Sequence, residues 1–534
     1  MLQTSAVAGA SAAAVALVGC GDSGSERDTP HSGGTLRFGS TVPPSFGLDP
    51  HVENAGALAI VARTYGYPHH GDPRTDEVVL DHLASYEQPD ATTYALRMRQ
   101  DVRFHAGPPA DGRAVTGDDV VLSMRRYRDS ALTVNKFWHK QILTGEGAPD
   151  PSTIIVTTAR PYVYSMAEMG ALNAGAILPR EAIEQGINLA SRAPGSGPFA
   201  LASAEPKVTT LAAYAGYHAG APLLAGMQWR LLNSTDELYD ALRARTIDVA
   251  PASGREESNA LGEEVDGLDV FIEPSLAWLS LALGTNAPAL RDDRVRRAID
   301  LALDREALIA AAAADVDGVM CGPVNQHLAD GFWSLSHDEL TELQGGGSIE
   351  DRRAEAAELV RAAGAENALI TLQVAQAESL PAVAASIREQ LARIGLRVTV
   401  ELRPVLAWYV ASRSGEFEAS LIAHPPYETP DGALRWYHSG GPDGDGNPMG
   451  LADAALDGDI EAFQAESDRE QRRELALAIQ RAALGTHALL PLFTRSSYTL
   501  AHTYVRDGGF ELPGSLSRYH YTQWLDLPVE GRAD

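Results

Sequence analysis

Apolar positions in this chain alternate or recur with periods that predict elements of both kinds. Across "TYALRMRQDVRF", Tyr94, Leu96 and Met98 alternate with Ala95, Arg97 and Arg99, the period of a strand with one buried face that runs on to His105. "GPPADG" then supplies a turn, and Thr116 followed three residues on by Asp119 predicts a capping box opening the helix "GDDVVLSMRRYRD". Asp118 and Asp119 fall in the first turn of that helix, where the macrodipole favours negative charge. This local chemistry gives two suspicious carboxylates a structural purpose.

The second half of the chain has the clearest pattern. "ALITLQVA" predicts a strand, "SLPAVAASIREQLARIG" a helix with Ser379 as N-cap and Gly395 past its end, and "LRVTVEL" a second strand. Strand, helix, strand implies a right-handed crossover between parallel strands, and hence an α/β fold. Upstream, "DDRVRRAIDLALDREALIAAAA" puts Val295, Ile299, Ala302, Leu303 and Leu308 on one face of a predicted helix, while "DREQRRELALAIQRAALG" predicts another amphipathic helix. "GGTLRFGS", Gly33 to Ser40, predicts the first strand.

With 534 residues the chain exceeds one simple core, so several compact units are expected. Its formal net charge of −28, with lysine only at positions 136, 140 and 207, disfavours phosphate backbones and anionic lipid as partners. Residues 6–19, "AVAGASAAAVALVG", are too short to span a bilayer as a helix and read as the apolar core of an export signal. "LVGC" at Leu17 to Cys20 resembles a lipobox, which makes Cys20 the expected lipidation site and residues 20–32 a flexible tether. If Cys20 carries lipid, Cys321 has no intramolecular partner and is expected to be an inert, packed thiol.

Several segments, in order, resemble the extracellular solute-binding proteins of peptide/nickel-type ABC transporters, family 5. They are "GGTLRFG" with "LDPH", "LASYEQPDATTYALRMRQDVRFHAG", "VTGDDVVLSMRRYRD", "GSGPFAL", "LYDALRARTIDVAP", "LSLALGTNAPALRDDRVRRAIDLALDREALI" and "TPDGALRWYHSGG". The resemblance spans about Gly33 to Leu527 and implies a two-lobed, periplasmic-binding-protein-like α/β clamshell with an extra inserted subdomain. It implies residues 33–52, 195–285 and 490–534 as the first lobe, 53–194 as the inserted subdomain and 286–489 as the second lobe. Residues 1–19 would be the signal peptide. Lobe rotation about crossovers near 195 and 285 is expected to bury the solute.

No catalytic motif is present: there is no H-E-x-x-H, G-x-S-x-G, G-x-x-x-x-G-K-[ST] or paired C-x-x-C. His69 and His70, in "YPHHGDP", read as a solvated turn in preference to a metal pair. No catalytic residue, cofactor or metal site is therefore expected. The informative stretch is "HPPYETPDGALRWYHSGG", His424 to Gly441, which gathers Tyr427, Trp436, Tyr437 and two histidines around Asp431. Aromatic rings offer large apolar area with few rotors to freeze, so the loop reads as a cleft wall, against the alternative of a surface loop with a buried aromatic plug.

The resemblance implies that Asp431 holds a peptide's α-ammonium group. Tyr427, Trp436, His438, Trp408, Trp278 and Asn54 complete the expected ligand-binding set, with packing in the core the alternative for both Trp408 and Trp278. The expected protein is a monomeric, lipid-anchored, extracytoplasmic component of an ABC importer that delivers a small solute, foremost a peptide, to a membrane permease. Oligosaccharides and metal chelates are the alternative solutes, His424 or His438 being the candidates to hold a chelate, and a secreted peptide or glycan hydrolase is the alternative class.

Overall fold

The computed structural model describes residues 30–44, 47–52, 56–72, 77–130, 133, 135–252, 254–312, 319–377, 379–507 and 522–526. Cys20 and Asn54 lie outside these residues, as does the whole leader. Among the described residues, no helix is long and apolar enough to cross a membrane.

In chain order the first strands are β1 (Thr35–Ser40), β2 (His69–Asp72), β3 (Glu77–Leu80), β4 (Leu83–Asp90), β5 (Thr93–Met98), β6 (Leu143–Asp150) and β7 (Thr153–Thr158). β8 (Phe199–Glu205), β9 (Val208–Ala213), β10 (Gly226–Leu231), β11 (Val249–Ala252) and β12 (Leu268–Leu283) follow. Next come β13 (Val319–Met320), β14 (Leu369–Ala375), β15 (Arg397–Arg403), β16 (Ala419–His424) and β17 (Leu489–His502), and a two-stranded pair, β18 (Val505–Arg506) with β19 (Trp524–Leu525), ends the series.

Eleven strands form one sheet in the order β15-β14-β16-β12-β17-β11-β1-β10-β9-β8, with β13 attached to β17. β12 and β17 are its long members, with 16 and 14 residues, and at about 3.3 Å per residue each runs roughly 50 Å. They pair antiparallel from Leu268↔His502 to Ala282↔Leu489, with register shifts between Pro274 and Trp278 and between Leu279 and Ser280. One end of this pair adjoins β11, the other β16, so two continuous strands connect the halves of the sheet.

The strand–helix–strand unit is present as predicted: β14 and β15 are parallel and joined by the helix Leu380–Ala392. Ser379 does occupy the N-cap position, but its side chain makes no capping bond; Pro381 in the first turn instead removes one backbone donor that would need a partner. The predicted single helix through Val295 and Leu308 is two, Asp293–Ala302 and Arg305–Ala312. Asp304 breaks it, because its backbone N–H donates to Gln390 Oε1 at 2.7 Å and its carboxylate accepts from Ala307 N at 3.0 Å, starting a new helix. All five predicted face residues are buried.

β5 buries Tyr94, Leu96 and Met98 as the alternation predicts, but it ends at Met98 and not at His105. The segment beyond it leaves the sheet: Phe104 N donates to Arg113 O at 3.0 Å, and His105 N to Gly195 O at 2.9 Å. His105 Nε2 lies 2.9 Å from Gly197 O, and burial pushes its pKa down to about 4. Gly195 and Gly197 in turn lie against the backbone of Arg63 and Thr64, where a Cβ would meet the Thr64 or Arg63 carbonyl oxygen at 1.9 or 2.6 Å. His69 and His70 also differ from expectation, for they sit in β2, nearly or fully buried, in place of a solvated turn. β2 is covered by the helix Ser165–Gly170, and the His69 ring contacts the Met166 carbonyl.

One apolar cluster runs from the four-stranded sheet β4-β5-β7-β6 through Phe137, Trp138 and Tyr162 into Trp278, Trp333, Trp436 and Phe463. The segment 53–194 therefore shares a core with 286–489. Cys321 lies in this cluster, fully buried, and desolvation pushes its thiol up to about 12.

Candidate ligand-binding site

The loop that follows β16 begins at His424, which pairs in register with Trp278 of β12. That register stacks the two rings face to face, with centroids 3.7 Å apart and planes 7° from parallel. His424 Nε2 lies 2.7 Å from Ser280 Oγ, and the Trp436 ring meets His424 edge-on at 4.6 Å. Burial, with Arg413 nearby, pushes the His424 pKa well below 6.5, so the imidazole is neutral at physiological pH. The Arg413 guanidinium sits 4.9 Å from the Trp436 ring centroid, and Trp436 Nε1 donates to Tyr427 Oη at 2.7 Å. Trp278, His424, Trp436 and Tyr427 are thus one aromatic platform, of which Tyr427 alone is only partly buried.

Asp431 stands behind that platform. A short helix, Pro430–Leu434, starts after Thr429 and turns the Asp431 carboxylate inward, where it is fully buried. Gln464 Nε2 donates to Oδ1 at 2.6 Å, Arg435 Nε lies 3.1 Å from Oδ2, and the Tyr162 hydroxyl donates to Oδ2. Arg435, one helical turn on, also reaches Glu168 Oε1 at 2.7 Å. Tyr162 and Glu168 belong to the segment 53–194, so the loop is tied to that segment by a buried charge network. A ligand ammonium would reach Asp431 only by replacing one of these partners.

Two carboxylates share one guanidinium there. Burial pushes the Glu168 carboxyl up to about 7 against the pull of Arg435, and the Asp431 charge pushes the same way. A carboxyl whose pKa is raised on folding, here from 4.5, holds its proton more tightly folded than unfolded. Its contribution is fully present below about pH 4.5 and is lost as pH rises through 7. Glu168→Gln is therefore expected to flatten the decline in thermal midpoint between pH 4.5 and 7, measured by scanning calorimetry across that range.

The remaining candidates are scattered. Trp408 is nearly buried in the helix Val405–Ser414, and its Nε1 donates to Leu421 O at 3.0 Å, which fastens that helix to β16. His438 packs edge-on against Phe137 at 5.2 Å, with its Nδ1 accepting from Gly440 N at 2.9 Å. Beyond it, Asp443 accepts from Asn135 N at 2.6 Å and pairs with Arg413 at 2.6 Å, a second tie between the late loop and the segment 53–194. Sequence reasoning missed Arg435, Tyr162, Glu168, Gln464 and Arg413. Only Arg435 had a local signal, its spacing of four residues from Asp431 on a helix.

The profile of the bacterial extracellular solute-binding proteins, family 5 (middle region), matches residues 77–445. Among curated relatives, the glutathione-binding protein GsiB of Pectobacterium atrosepticum is 22% identical over 268 residues, covering 50% of this chain and 51% of the relative. The chain thus spans about half the length of the curated relatives it matches.

Two solved structures share the fold. The periplasmic binding protein DppA from Helicobacter pylori, in complex with the peptide STSA, superposes with a TM-score of 0.78 at 20% identity, over 93% of this chain and 99% of that one. AgaA from A. tumefaciens R10, in complex with agropinic acid, gives the same TM-score, identity and coverage. The match of the family profile across most of the chain, on a fold that these structures share, establishes that the protein belongs to the bacterial extracellular solute-binding proteins, family 5.

Proposed function

We propose that this protein is the solute-capturing component of an ABC importer, anchored outside the cytoplasmic membrane through Cys20, and that it delivers a small amine-bearing solute of the peptide class to a membrane permease. The observation that carries this reading is the aromatic platform at the end of β12 and β16, set where the two long strands connect the halves of the sheet. Support comes from the relatives. One is named for glutathione, one fold neighbour holds a short peptide and another holds agropinic acid, all small polar solutes.

In this reading Tyr427 is the wall that a solute touches, with Trp278, His424 and Trp436 packed behind it, while Trp408 fixes its helix to β16 and His438 packs on Phe137. Asp431 acts as a positioning group that fixes the loop through Arg435, Tyr162 and Gln464. Bending of β12 and β17 near their register shifts opens and closes the lobes, and closure removes the solute from water without chemistry.

Native mass spectrometry of protein purified without added ligand is expected to show one retained small solute, released intact on denaturation. Tyr427→Ala is expected to weaken that solute by about 2 kcal/mol, roughly thirtyfold, in isothermal titration. Turnover of peptides by the purified protein would replace this reading with hydrolysis. Unchanged affinity in the variant would remove Tyr427 from the wall.

A further inference from the structure

Away from the late loop, Asp81, His82 and His218 converge where the segment before β4 meets the loop between β9 and β10. Asp81 Oδ1 lies 3.2 Å from His82 Nδ1 and 3.0 Å from His218 Nε2. The three donor atoms are all within 4.8 Å of one another. His82 is fully buried and the His218 side chain is 5% exposed. Among the described residues no arginine or lysine pairs with Asp81; beside the two imidazoles, this largely buried carboxylate accepts from Tyr67 N at 3.3 Å and the Tyr217 hydroxyl at 3.4 Å, both long contacts.

One of the two contacts is poor for a simple hydrogen bond. His82 Nδ1, though near Asp81, is a buried nitrogen without a hydrogen-bonded partner, because the contact is out of line. Ligand atoms around a tetrahedral cation with bonds of about 2.0–2.1 Å stand roughly 3.3 Å apart, close to the two separations seen here. The far side of His82 is fixed as a metal-bound imidazole requires: its Nε2 lies 2.8 Å from Ser196 Oγ, which orients the ring. Gly66 leaves the room for it, since a Cβ there would stand 1.9 Å from Nε2. A cavity of about 70 Å³, lined by Asp81, His218 and Tyr217 among others, gives space for a water at the fourth position.

We propose that Asp81, His82 Nδ1 and His218 Nε2 form a site for a zinc-class divalent cation, which staples the segment before β4 to the β9–β10 loop. Two imidazoles and one carboxylate with an open fourth position suit this borderline-soft ion. The site is independent of the late loop and of what solute the protein carries.

The test uses the full chain, stripped with chelator and titrated with zinc alone. One equivalent is expected to bind with a Kd below about 1 µM at pH 7.5 and to raise the thermal midpoint, and cobalt in its place is expected to give the strong visible bands of a four-coordinate ion. His218→Gln is expected to weaken zinc roughly a hundredfold and abolish the midpoint shift, while keeping the wild-type midpoint in chelator. Asp81→Asn serves as a second variant, and the wild-type cobalt spectrum decides the matter if neither variant folds. Zinc binding undiminished in His218→Gln, or wild-type protein showing neither tight zinc binding nor four-coordinate cobalt bands, would overturn the proposal.

Discussion

Asp431→Ala is expected to lower the stability of the free protein by about 3–5 kcal/mol, because it strips a buried guanidinium of one of its two counter-charges. The Arg435 side chain is 5% exposed, so after the substitution Glu168 is the one carboxylate left to pair with it. Gln464 and the Tyr162 hydroxyl lose their acceptor in the same step, and each unsatisfied buried donor adds about 1–3 kcal/mol before relaxation. Scanning calorimetry should show the midpoint falling by several degrees in solute-free protein.

Solute affinity should fall as well, since the loop that carries Tyr427 is no longer pinned. The order of effects is the test. A midpoint within a degree of wild type, together with lost affinity for amine-bearing solutes, would make Asp431 a direct ligand group as the family resemblance implies. Replacing Asp431, Arg435 and Glu168 together by leucine, methionine and glutamine should recover part of the lost stability, because the whole buried ionic triad is then removed and no charge is left without its partner.

The contrast between Asp431 and the capping box shows how far the sequence can be read. Thr116 and Asp119 are three residues apart, so their pairing is a property of one helix start and local chemistry reveals it. The strand–helix–strand unit is legible for the same reason, since period and punctuation both lie within about forty residues. Asp431 and Tyr162 are 269 positions apart, and nothing in either neighbourhood announces the other. The stacking of Trp278 on His424 depends on the register of β12 against β16, which periodicity leaves free. Asp81, His82 and His218 have no motif spacing at all: two are adjacent, and the third arrives from a loop whose position only the sheet order sets. Gly195 and Gly197 stood out only as part of a family segment, and their reason, backbone laid against Thr64 and Arg63, is a tertiary one.

Asp119→Ala should cost about 3–5 kcal/mol, whereas Asp118→Ala, one position earlier, should stay within about 0.5 kcal/mol of wild type. The two carboxylates have equal helix-dipole placement, so their difference isolates burial and partners. Asp118 is 55% exposed and meets only Arg180, at 3.6 Å, a contact that water screens. Asp119 is fully buried and accepts from Thr116 N at 2.9 Å, Thr116 Oγ1 at 2.9 Å, Arg180 N at 2.8 Å and both terminal nitrogens of Arg113 at 2.8 and 2.6 Å. Its removal leaves two backbone donors without an acceptor and leaves Glu181 as the one carboxylate on Arg113. Asp119→Asn should fall between the two alanine variants, since one oxygen remains to accept while the new amide faces donors. Urea midpoints of the three variants give the ranking directly. Equal losses at positions 118 and 119 would mean that the dipole, and not the buried network, holds this helix start. Solute affinity should be unchanged in every variant that remains folded, because this cluster builds a helix start and takes no part in capture.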